Sequence, residues 1–149
     1  MGIIAVAGTL LGAVVSHVLQ SRTAGRLHAG ALSAETRREL RQATARFLAS
    51  ETVFRRHQYD RCGLREAGAP EKDAAAAAAL EARSDVIAAL SEVQLLTDDA
   101  PTRERLTELA EASFTLHHAT DDEDLAVRSA RARAAADAVV EAVGRLVRS

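Results

Sequence analysis

The side chains best suited to bind a metal or attack an electrophile are five histidines and one cysteine. Their spacing argues against both roles. His57 and Cys62 stand five residues apart, a poor pair on one helix. His117 and His118 are adjacent, so on a helix their rings point about 100° apart and cannot chelate one ion well. No Glu-x-x-His or His-x-x-x-His spacing occurs, although helical carboxylate metal sites need such repeats. No metal or cofactor is expected, and His117 reads as a hydrogen-bonded residue at the core or rim of its helix. Cys62 lacks an electropositive helix-terminal setting that would activate it, and a lone cysteine forms no internal disulfide, which fits a reducing compartment.

The sequence holds neither a phosphate-binding G-x-x-x-x-G-K-[ST] loop nor a G-x-S-x-G elbow. The run Asp121–Asp124 lacks the spaced oxygens, central glycine and closing glutamate of a calcium loop, so it reads as a helix start. No catalytic residue emerges, and a non-enzyme is expected. The arginines Arg37, Arg38, Arg41, Arg55 and Arg56 share one arc of a helix and are the candidates for contact with the phosphates of lipid or nucleic acid. No aromatic interleaves them, Glu35, Glu39 and Asp60 flank them, and the whole chain carries a net charge of −2. Direct nucleic-acid binding is therefore not expected, and a solvated face is the plain alternative.

These residues need helices to position them. The chain has 149 residues, with room for one domain besides its apolar start. Alanine abounds, and all but one of 19 basic residues are arginine, a bias that reads as a GC-rich genome rather than a function. No stretch alternates with period two. Ser33 is a plausible N-cap for a helix over 34–66, with Thr36, Leu40, Ala43, Phe47 and Phe54 on its apolar face. A helix over 71–97 places Ala76, Leu80, Ile87, Leu90 and Val93 together. Pro101 opens another, carrying Leu106, Leu109, Ala110, Ser113, Leu116 and His117 on one face. The last helix, about 122–147, has a coiled-coil-like seam of Leu125, Ser129, Ala132, Ala136, Val139, Val143 and Leu146. Short connections imply antiparallel neighbours. The expected fold is all-α: an apolar, transmembrane N-terminal helix, then an antiparallel up-down four-helix bundle. With the hairpin turning near residue 67, Phe54 faces Leu80, Phe47 faces Ile87, and Glu51 forms a partly buried pair with Arg83.

The domain plan is an anchor helix over 1–20, a hinge or helix continuation over 21–32, and a bundle over 33–149. Residues 3–19 contain no acidic or basic side chain. As a helix they extend about 25 Å, the short end of what spans a bilayer core of roughly 30 Å. Gly8, Gly12 and Ser16 recur every fourth residue and form an edge for helix association in lipid. A cleaved signal peptide would begin with a basic region, which is missing here. The basic residues follow the segment: residues 22–66 carry a net +5 and residues 67–149 a net −7. By the positive-inside rule this gives a single-pass protein of the cytoplasmic membrane with its C-terminal domain in the cytoplasm. Anionic lipid heads are the partners of the basic half, and self-association is expected. The alternative is a soluble helical binding module with residues 3–19 buried.

The pattern Ile3-Ile4-Ala5-Val6-Ala7-Gly8-Thr9-Leu10-Leu11-Gly12-Ala13, then Leu19-Gln20-x-Arg22 and a helix containing Glu35-Thr36-Arg37-Arg38, resembles the KilB-like spread proteins of streptomycete conjugative plasmids. The Ala/Arg-rich helical C-terminus fits the same family. The resemblance implies a small, helical, membrane-associated protein that helps move plasmid DNA through the mycelium, with plasmid-transfer proteins as partners. Overproduction is implied to harm the host, so a small membrane-active toxin is the further alternative. The resemblance implies no catalytic residues.

Overall fold

The computed structural model describes the backbone of residues 3–148 and the side chains of residues 33–148. Four α-helices follow one another: α1 (Ile3–Gly63), α2 (Ala69–Leu95), α3 (Ala100–Phe114) and α4 (Asp122–Leu146), with a 3-10 turn, Thr115–His118, between the last two. No strand occurs among the described residues. The chain divides into two compact units, residues 1–37 and residues 38–149. The second holds the C-terminal part of α1 with α2, α3 and α4. Ser33 lies within α1, so the helix start expected there is corrected. Gly25 and Gly30 do not end the helix, since each costs only about 1 kcal/mol in a helix otherwise rich in Ala, Leu and Arg. The small-residue edge Gly8, Gly12 and Ser16, and the apolar segment it belongs to, lie outside the residues whose side chains are described. Among the described residues no helix is long and apolar enough to cross a membrane.

The helices of the second unit run up and down. Arg46 on α1 pairs with Glu92 near the end of α2. Gln94 on α2 donates to Thr107 near the start of α3 (3.3 Å). Arg65, just beyond α1, donates to the Ala119 carbonyl (3.1 Å) and lies 3.7 Å from Asp122 at the start of α4. The core they enclose is built on Leu40, Phe47, Phe54, Val86, Val93, Leu106, Leu109 and Val139. On α1, the expected face is buried at Leu40, Ala43, Phe47 and Phe54, and Thr36 is exposed. The α4 seam is buried at Leu125, Ser129, Ala132, Val139 and Val143, with Ala136 and Leu146 half-buried.

The α2 face differs from expectation. Ala79, Ala82, Val86 and Val93 are buried, whereas Leu80 and Ile87 are 66% and 47% exposed. The pairings of Phe54 with Leu80 and Phe47 with Ile87 as core contacts are therefore corrected. The Arg46–Glu92 pair also places the α1–α2 register about one helical turn away from a hairpin turning near residue 67. The cause is composition. The alanine run makes α2 apolar on several sides, so periodicity alone cannot choose which one packs. The small side chains of Ala79 and Ala82 allow closer helix approach than Leu80 would.

Carboxylates fix the starts of α3 and α4. Asp99 accepts from the Thr102 backbone N–H (2.9 Å) and caps α3, with Pro101 in its first turn. Asp121 accepts from the Asp124 N–H (2.8 Å) and caps α4. The acidic run is thus a helix start, as read from sequence. Hydrogen bonding to Thr102 holds the Asp99 carboxyl below its ordinary value. The Arg128 guanidinium, helped by the Thr120 N–H, does the same for Asp124. Both folded values lie below the unfolded ones. Their stabilisation is therefore complete above the ordinary aspartate value of 3.8 and is lost as pH falls through the lowered values. Helix melts followed by circular dichroism are expected to shift downward as pH falls below about 4, less so in Asp124→Asn.

Candidate functional site

A polar cluster sits inside the apolar core. Glu51 falls on the buried arc of α1 and is 1% exposed. Its Oε1 accepts from the Ser113 hydroxyl on α3 at 2.8 Å and lies 3.3 Å from Nη1 of Arg55, one turn along α1. That Nη1 is buried and makes no hydrogen bond. The expected Glu51–Arg83 pair is not formed. Arg83 instead spreads its guanidinium over the Phe114 ring, 4.7 Å from the centroid. Phe114 also meets Phe54 edge-on at 5.7 Å. The register shift and rotation of α2 carry Arg83 away from Glu51, and a nearer cation on the same helix takes its place. Ser113 was legible as a core-facing position, but nothing in the sequence marked it as the donor to Glu51.

This cluster has the chemistry of a structural lock. A carboxylate needs partners in a low-dielectric core, and here two helices supply them. Ser113 and Glu51 are too enclosed to meet a substrate, since both are at most 1% exposed.

The arginine arc is only partly a surface. Arg38, Arg41 and Arg56 are exposed, Arg37 is half-buried, and Arg55 turns inward to Glu51 with 15% of its side chain exposed. Arg55 therefore leaves the set of candidate phosphate contacts. The remaining exposed arginines keep an open, solvated arc on α1.

The histidine expectations are also revised. His117 is exposed rather than part of the core face. The helix tightens into a 3-10 turn after Phe114, which swings His117 outward, and its Nδ1 contacts the Phe114 carbonyl. The rings of His117 and His118 lie 3.7 Å apart between centroids, tilted by 39°, not splayed as on an α-helix. No group of three His, Cys, Asp or Glu side chains among the described residues is placed to hold a metal. Cys62 is half-buried and receives a hydrogen bond from Arg65 at 3.3 Å.

A helical body with a locked core and an open basic arc can be compared with known families. The model of the KilB plasmid transfer protein family matches residues 40–147. The chain belongs to the KilB plasmid transfer family. The match covers the C-terminal part of α1 and all of α2, α3 and α4, and so lies within the second compact unit. It includes the Glu51–Ser113 lock, Arg41, Arg55 and Arg56. Of the stretches that carried the resemblance, the match takes in most of the arginine-bearing helix and none of the first twenty residues. No curated protein and no solved structure matches the chain.

Proposed function

We propose that this chain is a non-enzymatic accessory protein of plasmid transfer, held at the cytoplasmic membrane by residues 3–19 and working through contacts of its helical body. The observation that carries this reading is the KilB family match over residues 40–147. The membrane part rests on sequence: an uncharged apolar stretch, then ten arginines before residue 66. The non-enzymatic part is supported by how the reactive side chains are used. Glu51 is locked to Ser113 and Arg55, and Asp121 caps α4.

Contact with a second copy or with other transfer proteins is supported by the outer face of α2. Leu80 and Ile87, one heptad apart, are both exposed there. Arg38, Arg41 and Arg56 offer a second surface, to anionic headgroups.

Cell fractionation tests the membrane part. The untagged chain is expected in the membrane pellet, retained after a high-salt wash that strips proteins bound only by charge. A version lacking residues 3–19 is expected in the supernatant. Recovery of the full-length chain as a soluble monomer would overturn the reading.

A further inference from the structure

The alanine run Ala74–Ala79 leaves a trough along the seam between α1 and α2, bordered by the Leu80 of the contact face above. Two hollows of about 390 and 250 Å³ adjoin there and share Arg61 and Ala76. The trough exists because Ala75, Ala76 and Ala79 contribute only methyl groups where larger side chains would fill the space. Leu80 lines it and is 66% exposed, while Phe54 lies beneath with 2% exposed. Its floor is aliphatic.

Its walls are cationic. Arg61, Arg65, Lys72, Arg83 and His117 line the two hollows, against one acid, Asp73. Arg65 is engaged with Asp122 and the Ala119 carbonyl. Arg61 donates to the Gln58 side-chain oxygen at 3.1 Å, and Arg83 lies on Phe114. Neither of these two, nor Lys72, has a carboxylate oxygen within 4.0 Å among the described residues. Uncompensated guanidinium groups form forked, charge-assisted hydrogen bonds to a carboxylate or phosphate. An aliphatic floor gains from covering by an alkyl chain. It offers no open aromatic face on which a nucleobase would stack, since Phe54 is enclosed. The combined volume is in the range that holds a small molecule.

We propose that this trough binds a single-chain anionic amphiphile, an alkyl chain bearing a carboxylate or phosphate, with its head at Arg61 and Arg83 and its chain over Ala76, Ala79 and Leu80. The inference is independent of the role in plasmid transfer.

The test uses the full chain with decyl phosphate below its micelle-forming concentration, and with decanol and inorganic phosphate as separate probes. Residues 3–19 also attract alkyl chains, so the readout is local: the methyl resonances of Leu64 and Leu80, which line the two hollows. Decyl phosphate is expected to shift both saturably, with about tenfold weaker affinity in Arg61→Gln/Arg83→Gln. Ala76→Leu, which fills the floor with another strong helix former, is expected to abolish the shift. Decanol and inorganic phosphate at the same concentration leave both resonances in place. Equal shifts with decanol would remove the cations from the account, equal shifts with phosphate would remove the floor, and unchanged affinity in Ala76→Leu would remove the trough. Any of these overturns the proposal. Thermal melts confirm that each variant folds, and Arg61→Gln alone replaces the pair should the double variant not melt cooperatively, with weaker binding expected and unchanged affinity overturning the proposal.

Discussion

Phe47→Ala is expected to destabilise the helical body by about 3–5 kcal/mol. Phe47 is fully buried, on the arc of α1 that also carries Leu40, Ala43 and Phe54. It belongs to a core drawn from all four helices. Removing its ring forfeits the transfer free energy of the lost atoms and leaves a cavity that packed helices close only in part. A domain of this size has about 5–15 kcal/mol in total, so the loss is a large share of it. Urea denaturation should show a lower midpoint at nearly constant slope. A change below about 1 kcal/mol would mean that α1 does not pack as described. Ile87→Ala is the counterpart on α2. Ile87 is half-exposed, and its loss should stay within about 1 kcal/mol.

The second large effect concerns the lock inside that core. Arg55→Met keeps much of the aliphatic stem but strips the cation from beside the Glu51 carboxylate, which is 1% exposed. Breaking a buried ion pair from one side costs about 3–5 kcal/mol, because the surviving charge keeps its desolvation penalty. Ser113 still donates to Oε1, and Arg55 retains some exposure, so the lower end of that range is expected. The double variant Glu51→Met/Arg55→Met should recover most of the loss, since an apolar pair of similar volume replaces a buried ionic one at little cost. A double-mutant cycle measured by denaturation gives the coupling. Additive single effects would show that the two side chains do not share one environment.

These predictions rest on residues that were legible to different degrees. The α4 seam stood out because Leu125, Val139, Val143 and Leu146 fall on one heptad-spaced line, with Val127 and Val140 the larger apolar side chains left outside it. Pro101 and the acidic run from Asp121 were readable as helix starts because a proline in a first turn and acidic side chains at a helix head have a local role, whereas Asp99 as the cap of α3 was not read. The buried position of Glu51 followed from its place between Phe47 and Phe54 on one arc. Its partner did not. Choosing Arg83 required the register across a hairpin and the rotation of α2, and an alanine-rich helix with apolar groups on several sides leaves that rotation to packing. The inward turn of Arg55 is likewise a tertiary effect: its arc is basic, and only the buried carboxylate one turn away draws it in. The 3-10 turn at Thr115–His118 left no mark in the spacing of the histidines, so His117 was assigned to the core face it leaves.

Arg38, Arg41 and Arg56 remain as an exposed basic arc on a body whose family match spans residues 40–147. The reading joins that body to the apolar stretch before it as one working unit in plasmid transfer. The most direct test is plasmid spread itself, scored as the recipients reached from donors in which this gene is disrupted and then supplied in trans. The account predicts reduced spread on disruption, full recovery with the intact chain, and no recovery with a chain lacking residues 3–19, although its helical body accumulates and folds. Undiminished spread after disruption, or full recovery with the truncated chain, would contradict it.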